Sequence, residues 1–162
     1  MTVRQIRVFG DPVLKTVSDP VRPGDDVRGL VQDLIDTVQL PGRAGVAAPQ
    51  IGVSQSVFSY NVDGDIGYII NPMLVSVSGE PELLDEGCLS VPGLYFKRLR
   101  YPEAMVTGVD LDGNEVELSG TGLMAQALQH ELDHLDGKLY IDGLDKETKR
   151  EAMRQIRESD WF

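Results

Sequence analysis

A chain of 162 residues, 41% apolar and 25% charged, has the size and mixture of one soluble globular domain, long enough to bury a core. Its formal charge of −11 argues against a nucleic-acid-binding surface, which needs clustered Lys and Arg to neutralise phosphates. The single cysteine allows no internal disulfide and suits a reducing cytoplasm, and no stretch approaches the roughly 20 apolar residues of a membrane span.

Residues 1–24 read as an irregular arm, punctuated by Gly10-Asp11-Pro12, Asp19-Pro20 and Pro23-Gly24. Residues 1–10 lack the uninterrupted apolar core of a secretory signal. Val27, Leu30, Val31, Leu34, Ile35 and Val38 then recur at the spacing of one buried stripe. They predict a core helix over 25–39, with Asp25 or Asp26 as its cap and Pro41-Gly42 as its stop. Residues 45–52 predict a tight loop entering a strand. Their small side chains let the backbone pass close to a ligand, and Gln50 brings an amide that can donate a hydrogen bond. A strand pattern covers 57–77, with turns at Asp63-Gly64 and Asn71-Pro72. Cys88 follows in Glu86-Gly87-Cys88-Leu89-Ser90; taken alone, a free cysteine is most often a small buried hydrophobe. Residues 93–98, aromatic and basic together, predict a loop, either an exposed turn or a substrate-facing rim. Residues 104–118 predict a hairpin turning at Asp112-Gly113.

The chemistry is concentrated in the next element, a helix predicted over 121–136. Its segment Gln129-His130-Glu131-Leu132-Asp133-His134 contains H-E-x-x-H. At 3.6 residues per turn, positions i and i+4 stack on one face, so both imidazoles reach the same metal ion. Glu131, beside the first, is placed to take a proton from water and pass it on. The bland alternative is two solvated histidines among scattered acids, but the chain has only two histidines and both are here. A hydrolytic metal site takes three protein ligands and leaves one position open. A metzincin-like third histidine, six residues past His134, is missing because that position is Tyr140. Glu147, Glu151 and the Cys88 thiolate remain as candidates for the third ligand. Leu123 and Ala127 share the histidine face and can line an apolar pocket, while Met124, Leu128, Leu132 and Leu135 read as core. Gly137 stops the helix. A last helix over 145–158 turns Ala152, Met153 and Ile156 inward, and Trp161 and Phe162 are expected to dock at its end.

Gly45-Val46-Ala47-Ala48-Pro49-Gln50, Glu86-Gly87-Cys88-Leu89-Ser90 and Gln129-His130-Glu131-Leu132-Asp133-His134 together resemble the three signature motifs of the peptide deformylases. They stand in the family's order and span about half the chain. The expected fold is α+β, with antiparallel strands around a central metal-binding helix and a helix on each flank, over 1–162 as a single catalytic domain. The resemblance implies a metal-dependent hydrolase that removes the formyl group from the N-terminal formylmethionine of newly made bacterial polypeptides and releases formate in the cytoplasm. It implies one divalent ion held by Cys88, His130 and His134, commonly Fe2+, with Zn2+, Ni2+ or Co2+ able to replace it. Glu131 would move the proton, the Gln50 side chain and the Leu89 backbone N–H would hold the oxyanion, and Gly45 would pair its backbone with the substrate. Arg100 would pair with Glu86. The partners implied are N-formylmethionyl nascent peptides and a transient ribosome contact, with no membrane and no direct nucleic-acid binding.

The chain departs from the family pattern at one point. That motif usually begins Gly-x-Gly, and here it reads Arg43-Ala44-Gly45, so Arg43 removes one point of backbone freedom and adds a long cation near the cleft. Two rivals stand beside the deformylase reading. A zinc peptidase of broader specificity would cleave unformylated peptides. A non-catalytic metal module would need four protein ligands, and the histidines and cysteine number three.

Overall fold

The computed structural model describes residues 2–162. Its first helix, α1 (Arg28–Val38), buries Val31, Leu34 and Val38 against Val46, Ile51, Val57 and Ile70, as the apolar stripe requires. The helix starts at Arg28 rather than 25 with Val27 at its cap position, and of the two aspartates only Asp26 reaches the helix, accepting from the Arg28 N–H at 3.2 Å. Asp25 accepts from the Arg22 N–H at 2.9 Å and is used in the preceding turn, while Asp26 also engages the Arg28 guanidinium at 2.9 Å.

Seven strands follow: β1 (Gly45–Ala47), β2 (Val57–Val62), β3 (Asp65–Ser78), β4 (Glu82–Cys88), β5 (Val91–Arg100), β6 (Glu103–Val109) and β7 (Glu115–Thr121). All pairings between them are antiparallel. One sheet has the order β1-β2-β3-β6-β7, and β4 and β5 form a separate two-stranded ribbon. Asn71-Pro72 is not a turn. β3 runs through it, with Asn71 at φ 50° and a register shift between Ile70 and Met73. Proline lacks a ladder donor, and a bulge absorbs that loss without ending the strand. The Asn71 amide ties the bulge to the N-terminal arm, accepting from the Val21 N–H at 2.8 Å and donating to its carbonyl at 2.9 Å.

Residues 93–98 are not a loop either. They lie within β5, where Tyr95 pairs with Gly87 and Lys97 with Asp85. The mixture of aromatic and basic residues resolves into period-two alternation: Phe96, Arg98 and Arg100 turn inward, Tyr95, Lys97 and Leu99 outward.

The helix α2 (Gly122–Leu135) lies between the two sheets. Ala125, Leu128 and Leu135 pack on Phe58, Ile69 and Val106 of the larger sheet, and Gln126 on its other side donates to the Asp85 carbonyl at 3.0 Å. Gly137 follows at φ 74°, where an added Cβ would come within 2.8 Å of the Lys15 carbonyl oxygen. The last helix, α3 (Lys146–Arg157), is capped by Asp145, which accepts from the Thr148 N–H at 2.8 Å. Ala152 and Ile156 join Val91, Leu139, Tyr140 and Ile141 in a third core cluster. Trp161 docks by donating from Nε1 to the Pro92 carbonyl at 3.0 Å, while Phe162 stays 59% exposed. The architecture is α+β, as anticipated. Among the described residues no helix is long and apolar enough to cross a membrane.

Candidate metal centre

Helical spacing brings His130 and His134 together, and the ribbon brings Cys88 to them. Their Nε2 atoms are 3.1 Å apart, and Cys88 Sγ lies 3.3 Å from His134 Nε2. The three donor atoms all fall within 4.8 Å of one another. Metal–ligand bonds of about 2.0–2.3 Å in a tetrahedral site set donors roughly 3.3–3.8 Å apart, so the cluster fits one transition-metal ion after small adjustments. It is the only such cluster among the described residues, and it includes neither Glu147 nor Glu151. Both belong to α3, and Glu151 is engaged there by Arg154.

The orientation of His130 is set by Glu86, whose Oε2 accepts from Nδ1 at 2.7 Å. Burial would lower the pKa of His130, but the charges of Cys88 and Glu131 raise it well above the ordinary histidine value, so the metal-free ring carries a proton on each nitrogen. A metal would displace the one on Nε2, which faces Cys88 and His134, while Glu86 keeps the one on Nδ1. Arg100 grips the same carboxylate through Nε at 2.8 Å and Nη2 at 2.5 Å, and reaches Asp133 through Nη1 at 2.8 Å. Burial alone would raise Glu86, but the Arg100 guanidinium and the His130 ring hold it well below the usual carboxylate range. His134 is pushed well below the ordinary histidine value by burial, with the neighbouring His130 adding to the effect. A neutral imidazole is the form that ligates a metal.

Glu131 projects into the same space. It is 2% exposed, and burial pushes it up to about 7, with His130 pulling the other way. Its Oε1 is buried with no hydrogen-bond partner among the described residues, and its Oε2 lies 4.0 Å from His130 Nε2, one of the three candidate donor atoms. Gly45 makes room for it. A Cβ on Gly45 would lie 2.6 Å from Glu131 Oε2 and 2.8 Å from its carboxyl carbon, so no other residue fits without moving the carboxylate. Gln50 sits at the end of the short 3-10 turn Ala48–Ile51, 1% exposed. Its Oε1 accepts from the Ala47 N–H at 3.0 Å, which leaves Nε2 to face Ser90 Oγ at 3.2 Å and Cys88 Sγ at 3.7 Å.

These groups open into a cleft of about 410 Å³. Gly45, Gln50, Leu89, Leu123 and Ala127 line it together with Cys88, His130 and Glu131, so every site residue expected from the sequence except His134 lies on its wall. His134 is buried just behind, at 1% exposure. Ala127 is buried and Leu123 is half exposed, which puts Ala127 deep in the cleft and Leu123 towards its mouth.

Sequence reading alone did not single out the contact of Glu86 with His130, the position of Ser90 between Gln50 and Cys88, the link from Asp133 to Arg100, or the Tyr140 ring stacked on His130 at 6.4 Å. The available signal was proximity to the motifs: Ser90 is two residues past Cys88, and Asp133 lies between the two histidines. The Glu86 contact leads to a prediction. A Glu86→Gln variant cannot satisfy Arg100 and His130 as an anion does, and its metal affinity is expected to fall about 10–100-fold. Competition with a chromophoric chelator measures this, and an unchanged affinity would mean that something else orients His130.

A family model for polypeptide deformylases matches residues 3–150. The chain is 51% identical to the peptide deformylase of a Parafrankia species, over 99% of this chain and 89% of that protein. It is 41% identical to peptide deformylase 1 of Corynebacterium efficiens, over 100% of this chain and 99% of that one. Among solved structures, a peptide deformylase from Legionella pneumophila superposes with a TM-score of 0.89 at 36% identity, covering 97% of this chain and 95% of that chain. The Ehrlichia chaffeensis peptide deformylase in complex with actinonin superposes with a TM-score of 0.87 at 34% identity, covering 99% of each. With a family model spanning most of its length and relatives of this identity over nearly all of it, the chain belongs to the peptide deformylase family.

Proposed function

We propose that this protein is a metal-dependent hydrolase that removes the formyl group from the N-terminal formylmethionine of new polypeptides, releasing formate. The observation that carries the reading is the desolvated Glu131 carboxylate beside the Cys88, His130 and His134 donors, at the closed end of a cleft. Cys88, His130 and His134 would hold one divalent ion, and the thiolate in that set favours a softer transition metal. Ferrous iron is the physiological choice, with zinc, nickel or cobalt able to replace it. Bound there, such an ion would supply Lewis acidity, towards the formyl carbonyl and towards water.

Glu131 takes a proton from the attacking water and delivers it to the leaving amine, a role supported by its buried position beside the donor cluster without belonging to it. The Gln50 Nε2 and the backbone N–H of Leu89 hold the developing oxyanion. Support for Gln50 comes from its amide, which is locked with its N–H side towards Cys88. The Gly45 backbone lies on the edge strand β1, where an extended peptide can add its own hydrogen bonds. The whole chain, 1–162, acts as one catalytic domain in the cytoplasm, and a transient contact with the ribosome would bring it to emerging chains.

The test is release of formate from a formyl-Met tripeptide by purified protein. Activity should be lost with chelator and restored by ferrous iron under argon, and protein purified without oxygen should contain iron. Cleavage of unformylated peptides would instead favour a peptidase of broader specificity.

The methionine side chain is expected to lie against Ala127, with Leu123 nearer the mouth. An unbranched thioether fits such an apolar slot with little strain. Burying it stabilises by roughly 1.5–3 kcal/mol, enough to favour formyl-Met over formyl-Ala by about one to two powers of ten in kcat/KM. An Ala127→Phe variant should keep its metal and lose most of that preference. An unchanged ratio between the two substrates would move the methionine pocket elsewhere.

A further inference from the structure

Arg43 is the point where this chain leaves the Gly-x-Gly pattern, and its surroundings suggest a use for it. It lines the cleft beside Gly42, Ala44 and Gly45. Its Nη1 donates to the Thr37 carbonyl in the last turn of α1 at 3.0 Å, which tethers the head group at the helix end. That bond occupies one of the five N–H donors of a guanidinium.

Arg43 is the one Lys or Arg that lines the cleft among the described residues; the other charged residues lining it, apart from His130, are Asp85, Glu86 and Glu131. Asp85 is paired with Lys97 and Glu86 with Arg100. Arg43 has no ion-pair partner among the described residues, although burial has begun to lower its pKa. A cation partly withdrawn from water, tethered and without a counter-charge is suited to an anionic group brought by a ligand.

Its distance from the reacting end gives the position of that anion on a substrate. Gly45 abuts Glu131, and Arg43 lies two residues before it. An extended chain advances about 3.3–3.6 Å per residue, so a peptide laid antiparallel to β1 with its formyl group at Glu131 would run past Gly45 and bring its second or third residue to Arg43, just before the strand.

We propose that Arg43 is a specificity-determining residue that favours nascent chains carrying Asp or Glu at their second or third position. The inference rests on the deformylase reading and adds a charge preference to it. An exposed or half-buried ion pair is worth about a two- to fivefold preference at low ionic strength, which should appear in KM rather than kcat and fade at about 0.5 M salt.

The experiment compares kcat/KM for formyl-Met-Glu-Ala and formyl-Met-Ala-Glu with their Gln counterparts, in wild type, Arg43→Gln and Arg43→Glu, with a thermal melt of each variant to establish folding. Wild type should prefer the acid at one of the two positions, Arg43→Gln should bring that ratio to about one, and Arg43→Glu should invert it. No acid preference in wild type at low salt would overturn the proposal. So would a preference that survives in Arg43→Gln, including the case where all four peptides slow equally because only the end of α1 has been disturbed. Formate release from the Gln peptides is the separate readout: its absence would remove the deformylase reading itself, while its presence without an acid preference removes only the role of Arg43.

Discussion

Glu131→Gln is expected to bind metal as well as wild type and to lose about 10²–10⁴-fold in kcat on a formyl-Met peptide, the range that general acid–base catalysis supplies. Glu131 lies beside the donor cluster without belonging to it, so the amide leaves three ligands in place. An amide is also nearly isosteric, so the close approach of Gly45 to this side chain is preserved. What disappears is a carboxyl group able to accept a proton and return it. The loss should fall on kcat and kcat/KM alike, because the group works on the reacting atoms rather than on the bound methionine. Metal content and turnover are measured on the same preparation. Near-normal turnover with full metal would take Glu131 out of the mechanism.

Cys88→Ala is expected to lose metal outright. It should weaken binding beyond the roughly 10–100-fold that removing an outer partner costs, and abolish activity with it. The substitution removes one of three donors and leaves two imidazoles one helical turn apart, too few to complete a site. Cys88 is only partly buried, so trimming it to alanine leaves a small space and the fold should survive; circular dichroism and a thermal melt check this. Full, tightly bound metal in the variant would mean that a carboxylate completes the site. The Glu86→Gln variant provides the scale for comparison, since it loosens one ligand without deleting any.

Part of this site was readable because its geometry is local. His130, Glu131 and His134 lie within two helical turns, and the 3.6-residue period places them together without reference to the rest of the chain. The core faces of α1, α2 and α3 were legible for the same reason, since each is a periodic stripe within one element. Cys88 is 46 residues from His134, and nothing in spacing alone pairs them. The residue reading left Glu147 and Glu151 open, and the motif resemblance singled out the cysteine.

The chemistry of a segment misleads where its partner strand decides which side chains face inward. Residues 93–98 look exposed because they mix charge with aromatic rings, yet in a ribbon half of them face inward and only the pairing decides which. Asn71-Pro72 looks like a turn, yet β2 pairs with β3 up to Ile70 and β6 resumes pairing at Met73, so the strand continues through a bulge.

By itself, then, the sequence determined the helices and their buried faces, the stacking of two histidines with a carboxylate between them, and through its motifs the family. Tertiary structure alone decided the rest. It carried Glu86 across 44 residues to His130, turned the Gln50 amide towards Cys88, pressed Gly45 against Glu131 and tethered Arg43 at the cleft. The reason is physical. Periodicity is a property of one element and is written in neighbouring residues, whereas a contact between elements depends on register and layer packing, which many distant residues set jointly.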